Sequence, residues 1–507
     1  MLEAPSADDV RAGEKMRSAR ARLRTREDSP AALDAFLAAA DTNSALRIWL
    51  GAEMFEELAH DPEKLRDLID RDIANIDALL SRQLSAIVHA ERFRSLEAGW
   101  RGVRFLADAL DKGDRVKLRI LNATWSELAR DFERAPDFDQ SVVFDLVYSQ
   151  EFGLAGGEPF GLLIGDYLVS HRRGGDYSTD GVAALKSMAT TAAAAFSPFV
   201  CGCHPSMLGL EDFESLSADI DLEEIFRQEE YVRWRALREM EDVRFLGICM
   251  PRVLMRDPWR DSAGSHAPFR FTEVLTNAPD GGYLWGNGAF AFAAVAIRAF
   301  IQTGWFAEIR GVRRGESGGG LVDNLPVSTF ATDTPDIAFR HPVESAISDR
   351  QERRLSELGF IPISVTEYVP AAILYSNQSL QRPQRHTDAA ATANARLSSM
   401  LQYILCVARF AHAIKVIGRE RIATFTSASQ CQTLFQSWLT GYVMANPNAS
   451  LELRTRFPLR EGRVTVTENP ARPGILKLDM YLRPQLQLDE VSTGVRLTSE
   501  LATPRPM

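Results

Sequence analysis

Between Pro62 and Ile87 apolar residues recur every three or four positions. Leu65, Leu68, Ile69, Ile73, Ile76, Leu80, Leu84 and Ile87 share one face, with Asp and Arg between them, which predicts an amphipathic helix. A shorter stretch of the same period opens after Ser29 and runs from Pro30 to Asp41, with Leu33, Phe36, Leu37 and Ala40 as its stripe. The alanine-rich run Val182–Phe196 predicts a packed helix, stopped by Ser197 and Pro198. From Asn394 onward Leu397, Leu401, Ile404, Leu405, Ala408 and Ala411 line one face and the opposite positions are also largely apolar, so this helix is expected to be buried. Val116–Leu121 and Phe160–Ile164 predict strands, the second a continuous apolar run suited to a buried position.

After Pro458 the period changes to two. Val464 and Val466 alternate with polar residues, as do Leu476, Leu478, Met480 and Leu482, and then Val495 and Leu497, with a turn over Asn469–Gly474. The stretch Met255–Arg385 is richer in Gly and Pro, and no repeat of solenoid or propeller length is present. The pattern predicts a multi-domain α+β fold, with mixed sheets flanked by helices and a β-rich C-terminal end. Its expected parts are a basic tail over 1–28, a helical arm over 29–60, a main α/β region over 61–390 and a C-terminal core over 391–503.

At 507 residues the chain exceeds one ordinary core, which favours two or three domains. A formal net charge of −10 argues against a nucleic-acid binder, which would carry a basic footprint. The one basic cluster (Arg11, Lys15, Arg17, Arg20, Arg22, Arg24 and Arg26) reads as a solvated tail. No run of about 18 apolar residues predicts a membrane span, and no apolar segment follows the basic N-terminus as a secretory signal would require. Cys201, Cys203, Cys249, Cys406 and Cys431 are sparse and odd in number, which suggests reduced thiols in a cytoplasm.

The candidate chemistry is sparse. Gly315, Ser317 and Gly319 fit the pattern of a hydrolase nucleophile elbow, but that device needs a helix after the serine, and Gly320–Pro326 does not read as one. Gly286-Asn-Gly288 lacks the third glycine of a dinucleotide fingerprint and reads as a tight turn into the apolar helix Ala289–Phe300. Cys201, Cys203 and His204 are soft ligands without a second half-site, and read as small residues on a strand edge. His412, inside the buried helix, reads as a hydrogen-bonded core histidine. No cofactor or metal is expected, and no catalysis.

Twelve stretches carry a further signal in their order. They are Phe93–Gly102, Gly156–Tyr167, Tyr231–Asp242, Tyr283–Phe290, Gly318–Pro326, Asp349–Glu352, Glu357–Pro362, Ala393–Ser398, Leu401–Ile404, Arg409–His412, Pro458–Arg460 and Leu482–Gln485. Together they resemble the TssC/VipB family, the large sheath subunit of bacterial type VI secretion systems. The resemblance implies a structural protein that co-assembles with a small subunit, TssB, into a helical contractile tube. It implies further partners: more copies of the chain, an inner Hcp tube, a baseplate, and the unfoldase ClpV, which dismantles the contracted sheath. It also implies a ClpV-recognition helix near the N-terminus, for which Leu33, Phe36, Leu37 and Ala40 are the best match.

A sheath lattice needs strands that pair between chains, and a repeated contact that does not close makes a helical filament. The terminal alternating segments, with Leu476, Leu478, Met480, Leu482, Val495 and Leu497, are the expected inter-subunit strands. Two other readings stay open here: a sheath protein of another phage-tail-like contractile system, and a hydrolase centred on Ser317 or on the Cys201, Cys203 and His204 cluster.

Overall fold

The computed structural model describes residues 30–110, 115–154, 156–172, 180–217, 220–260, 269, 271–275, 282–306, 308–312, 318–329, 339–365, 371–421, 427–444, 446, 453, 456–468, 475–484 and 495–502. The basic tail, Ser317 and the turn at 469–474 lie outside them. The chain divides into two compact units, one of residues 1–94 with 258–276 and one of residues 95–257 with 277–507.

The smaller unit is helical, with α1 (Pro30–Leu37), α2 (Thr42–Leu50), α3 (Ala52–Leu58) and α4 (Pro62–Val88). The predicted helix over Pro30–Asp41 is shorter than its apolar period suggests. It ends at Leu37, Ala40 falls beyond it, and the Asp41 carboxylate instead caps α2 by accepting from the Ser44 amide at 2.9 Å. Asp61 caps α4 in the same way, with Pro62 at its first position. Phe36 packs on Trp49 at 5.5 Å between ring centroids, and the Trp49 indole donates to Asp72 of α4 at 3.1 Å. Near the end of α4, His89 lies 2.9 Å from the buried carboxylate of Glu273, which also accepts from the Trp259 amide.

The larger unit holds α5 (Glu91–Ala109, its first turn in the smaller unit), α6 (Trp125–Arg134), a helical stretch α7 (142–153) with a π-helical turn over Asp145–Ser149, and α8 (Gly181–Ala195). Further helices are α9 (Gly288–Thr303), α10 (Asp349–Glu357), α11 (Ala389–Ser398), α12 (Leu401–Arg421) and α13 (Ala428–Thr440). Its main sheet is built from β1 (Leu163–Val169), β2 (Phe199–Cys203), β3 (Leu246–Met250), β4 (Leu321–Val322), β5 (Ile361–Val365) and β6 (Ala372–Leu374), in the order β1-β2-β3-β5-β6-β4. The first four in that order are parallel, and β6 and β4 extend the sheet antiparallel. Parallel strands must be covered on both faces. Phe199, Cys201, Ile248 and Met250 face α8 through Leu185, Met188 and Ala192, while Val200, Cys249, Ile361 and Ile363 join the opposite core with Ala289, Phe292 and Val295 of α9.

A second, antiparallel sheet closes the chain, with β7 (Leu459–Glu468), β8 (Ile475–Pro484) and β9 (Val495–Ala502) in that order. The architecture is the expected α+β, with mixed sheets, flanking helices and a β-rich end. Two readings need correction. Val116–Leu121 is extended but belongs to no strand: its aliphatic residues favour extended backbone, yet residues 116–122 make no backbone–backbone hydrogen bond to the described residues. Side chains hold it instead, through ion pairs of Lys117 with Glu158 and of Arg119 with Glu151. Secondly, the helix expected from Asn394 onward is broken in two, α11 ending at Ser398 and α12 beginning at Leu401; α12 would pass as a membrane span by length and composition alone, but most of it is buried in the protein, as its apolar pattern suggests.

Candidate assembly surfaces

The C-terminal sheet is set by strict alternation. Val464 pairs opposite Met480, Met480 opposite Leu497, and Leu482 opposite Val495. Leu476, Leu478, Met480 and Leu482 all turn inward and are buried against Phe410 and Ile414 of α12 and Phe435 and Leu439 of α13. The other face of β8 carries Lys477, Asp479, Tyr481 and Arg483, which include an ion pair of Arg483 with Glu461 of β7. Because β8 is central, both its backbone edges are used inside the chain. Of the predicted inter-subunit residues, Val495 and Leu497 on β9 sit on a strand with an outer edge, whereas the four β8 residues build the core beneath it.

The helix beneath this sheet, α12, is tied to the ends of α7 and α8 by three basic residue types, His412, Lys415 and Arg419. The His412 Nε2 lies 3.0 Å from the carbonyl of Ala195 at the end of α8, while its Nδ1 has no partner. Burial holds His412 down to about 4, so the ring is neutral at pH 7 and Nε2–H is the donor. Lys415 sits among three rings, with its Nζ 4.7 Å from the centroids of Tyr148 and Phe152 and 5.0 Å from that of Phe196; burial lowers it to about 8. The Arg419 guanidinium donates to the carbonyls of Glu151, Phe152, Leu154 and Gly157, at and beyond the end of α7. Cations at the C-terminal ends of helices oppose the partial negative charge there. Sequence reasoning found His412 but missed Lys415 and Arg419. The available signal was three basic side chains at i, i+3 and i+7 on an otherwise apolar helix.

In the smaller unit Leu33 and Leu37 are 57% and 72% exposed, and Phe36 is half-buried against Trp49. The stripe therefore leaves Leu33 and Leu37 open. On α4, Ile73, Leu80 and Ile87 form an exposed row at intervals of seven residues.

The glycine loop is structural where it is described. After Gly318 the chain enters β4, where a nucleophile elbow requires a helix. Arg298 of α9 donates to the carbonyls of Gly319 and Leu321 and pairs with Asp323 at 2.6 Å. Gly320 donates to the Gly311 carbonyl and accepts from the Leu374 amide, and a Cβ there would meet the Leu374 carbonyl oxygen at 2.0 Å. Gly320→Ala is therefore expected to destabilise the fold by about 1–3 kcal/mol, towards the upper end because the obstacle is backbone. Thermal unfolding of the purified protein checks this, and an unchanged midpoint would mean the loop relaxes freely.

Cys201 and Cys203 are not on a strand edge, as the sequence suggests, but on β2, which is hydrogen-bonded on both sides. Both thiols are free, fully buried and pushed well up by burial, while His204 accepts from the Ser206 amide at its own strand end. Among the described residues no three His, Cys, Asp or Glu side chains gather as a metal set. The turn at Gly286–Gly288 does what the sequence suggests: Asn287 caps α9 at the Ala289 amide.

The chain thus carries a doubly covered sheet and a terminal antiparallel sheet, each with its own buried core. Two consecutive family models match this chain: the EvpB/VC_A0108 tail sheath N-terminal domain over residues 70–381, and the EvpB/VC_A0108 tail sheath gpW/gp25-like domain over residues 390–501. The type VI secretion system sheath protein TssC1 of Pseudomonas aeruginosa PAO1 is 37% identical over 436 residues, covering 85% of this chain and 86% of that protein. The chain belongs to the TssC/VipB family of type VI secretion sheath proteins, a structural family, as its ordered motifs suggested.

Proposed function

We propose that this chain is the large subunit of a contractile sheath, co-folding with a small TssB-type subunit and polymerising around an inner Hcp tube from a baseplate. Contraction of the lattice drives the inner tube outward, and a ClpV unfoldase then recycles the sheath. The carrying observation is the family match over both sheath domains, each of which has a buried apolar core in this chain. The reading assigns no reaction and no cofactor to the protein. Assembly in the cytoplasm is supported by the five free, buried cysteines.

Obligate pairing with the small subunit is supported by surface left uncovered. The extended stretch at 116–122 makes no backbone–backbone hydrogen bond to the described residues and exposes Leu118, Ile120 and Leu121, which suits an added strand. Co-expression with a TssB-type small subunit followed by negative-stain microscopy tests the reading. Regular tubules are expected, and a stable monomer indifferent to the partner would refute it.

Strand exchange between neighbouring subunits is assigned to the outer edge of β9. ClpV recognition is assigned to the open stripe of Leu33 and Leu37, with Phe36 beside it; Ala40, beyond the helix end, falls outside it. Changing Leu33 and Leu37 to Asp is expected to leave tubules intact and to reduce ClpV binding at least about tenfold, the loss of two buried leucines in a groove. Pull-down with the unfoldase's N-terminal domain measures it. Collapse of the purified sheath would show the stripe to be core.

A further inference from the structure

The three-stranded sheet has two edges, and one of them is already occupied. On the side of β7 away from β8, the Gln436 side chain donates to the Gly462 carbonyl at 3.1 Å and accepts from the Val464 amide at 2.8 Å. One turn earlier on α13, Gln432 accepts from the Val466 amide at 3.1 Å. Further along the same edge, the Leu459 amide donates to the Tyr442 carbonyl, and the Leu459 carbonyl accepts from the Met444 amide. The helix lies close because residue 462 is glycine: a Cβ there would sit 2.7 Å from the Leu439 side chain. A primary carboxamide presents both N–H donors and a carbonyl acceptor, so Gln436 answers both backbone groups and Gln432 answers the Val466 amide as a strand's peptide groups would.

We propose that Gln432 and Gln436 are strand surrogates that close the β7 edge, so that strand addition between subunits is confined to β9. The proposal rests on the reading that β9 exchanges strands, and adds which edge is forbidden and what forbids it. An unpaired edge pairs with any extended chain that reaches it. A sheath subunit with two open edges would join neighbours in either of two registers, branching or bundling where a tube needs one. Leu or Met at 432 and 436 would fit the helix equally well, and neither could answer the backbone of β7.

The test uses the full chain co-expressed with its small partner. Thr465→Cys, at an exposed position on β7, places a reporter thiol beside this edge, in the wild-type background and in Gln432→Leu/Gln436→Leu. Tubules of the reporter chain with both glutamines in place are expected to give no disulfide between copies at this position. The double variant is expected to exchange the amides of 462–466 about tenfold faster, to cross-link between copies, and to yield bundled or irregular assemblies. If the double variant does not fold, Gln436→Glu, which keeps the acceptor for Val464 but loses the donor to Gly462, provides the same readouts. Cross-linking in the wild-type background would overturn closure of this edge. So would faster exchange without cross-links or bundling. Normal tubules from a chain with β9 disrupted would instead overturn the strand-exchange reading beneath it, whatever the reporter shows.

Discussion

A chain carrying Leu497→Pro is expected to bind its small partner normally and to form no long tubules. Leu497 lies in the middle of the register that pairs β9 with β8, opposite Met480. Because Val464 turns its amide away from β8, the register turns the Leu497 amide towards β8; proline there removes a donor from the chain's own ladder and loosens β9, and with it the outer edge to which a neighbour would add. The effect on one junction is modest: a lost net hydrogen bond costs about 1 kcal/mol, and with proline's backbone cost the total is about 3 kcal/mol. Polymer length responds to the elongation constant, and about 3 kcal/mol is roughly a hundredfold in that constant. Partner binding should survive because the extended stretch 116–122, the surface proposed for the small subunit, is untouched. Pull-down and negative-stain length distributions report the two properties separately. Tubules of ordinary length would rule out exchange at β9, while loss of the partner would mean that β9 is part of the heterodimer contact.

Acid should weaken the fold through His412. Its unfolded value is that of an ordinary histidine, near 6.5, and its folded value is about 4 because the ring is buried with one nitrogen unpartnered. Below pH 6.5 the unfolded chain therefore binds a proton that the folded chain refuses. The stabilisation is complete above that pH and is lost as pH falls towards 4, at about 1.4 kcal/mol per pH unit, or about 3 kcal/mol in total. A proton on His412 would also face Arg409 and Lys415, which oppose it. His412→Gln keeps a donor for the Ala195 carbonyl but cannot titrate. Denaturant midpoints from pH 7 to 4.5 should fall more steeply for the wild type than for this variant, whereas parallel curves would remove His412 from the acid response.

The elements legible in the sequence were those whose partner is within the chain and whose period is unbroken. Helices α8 and α12 and strands β7 and β8 follow their apolar spacing closely, because each buries its stripe against something that the chain itself supplies, whereas α4 keeps the period while leaving Ile73, Leu80 and Ile87 exposed. Val116–Leu121 failed for the complementary reason: propensity sets an extended backbone, but a strand also needs a neighbour, and sequence does not say which chain provides it. The apolar stripe of α1 stopped early because a local event, the Asp41 cap of α2, outweighs the period. Gln432 and Gln436 were invisible because a glutamine on a helix surface is ordinary; its role appears only when the residue opposite it is a strand edge. The identity of the family was carried by motif order, while composition and periodicity alone reached only an α+β assembly of two or three domains.

The stripe of His412, Lys415 and Arg419 has a mechanical consequence. It spans two turns of α12, a length of about 10 Å, and joins the terminal sheet to the body at two separate helix ends and an aromatic cage between them. A pull on the terminal sheet along the axis of α12 would load all three attachments at once, in shear, as a row of rivets is loaded, whereas a single attachment would act as a pivot. Such a joint resists bending as well as sliding. With strand exchange at β9 as proposed, the turning of a neighbouring subunit would be passed through this joint towards the central sheet.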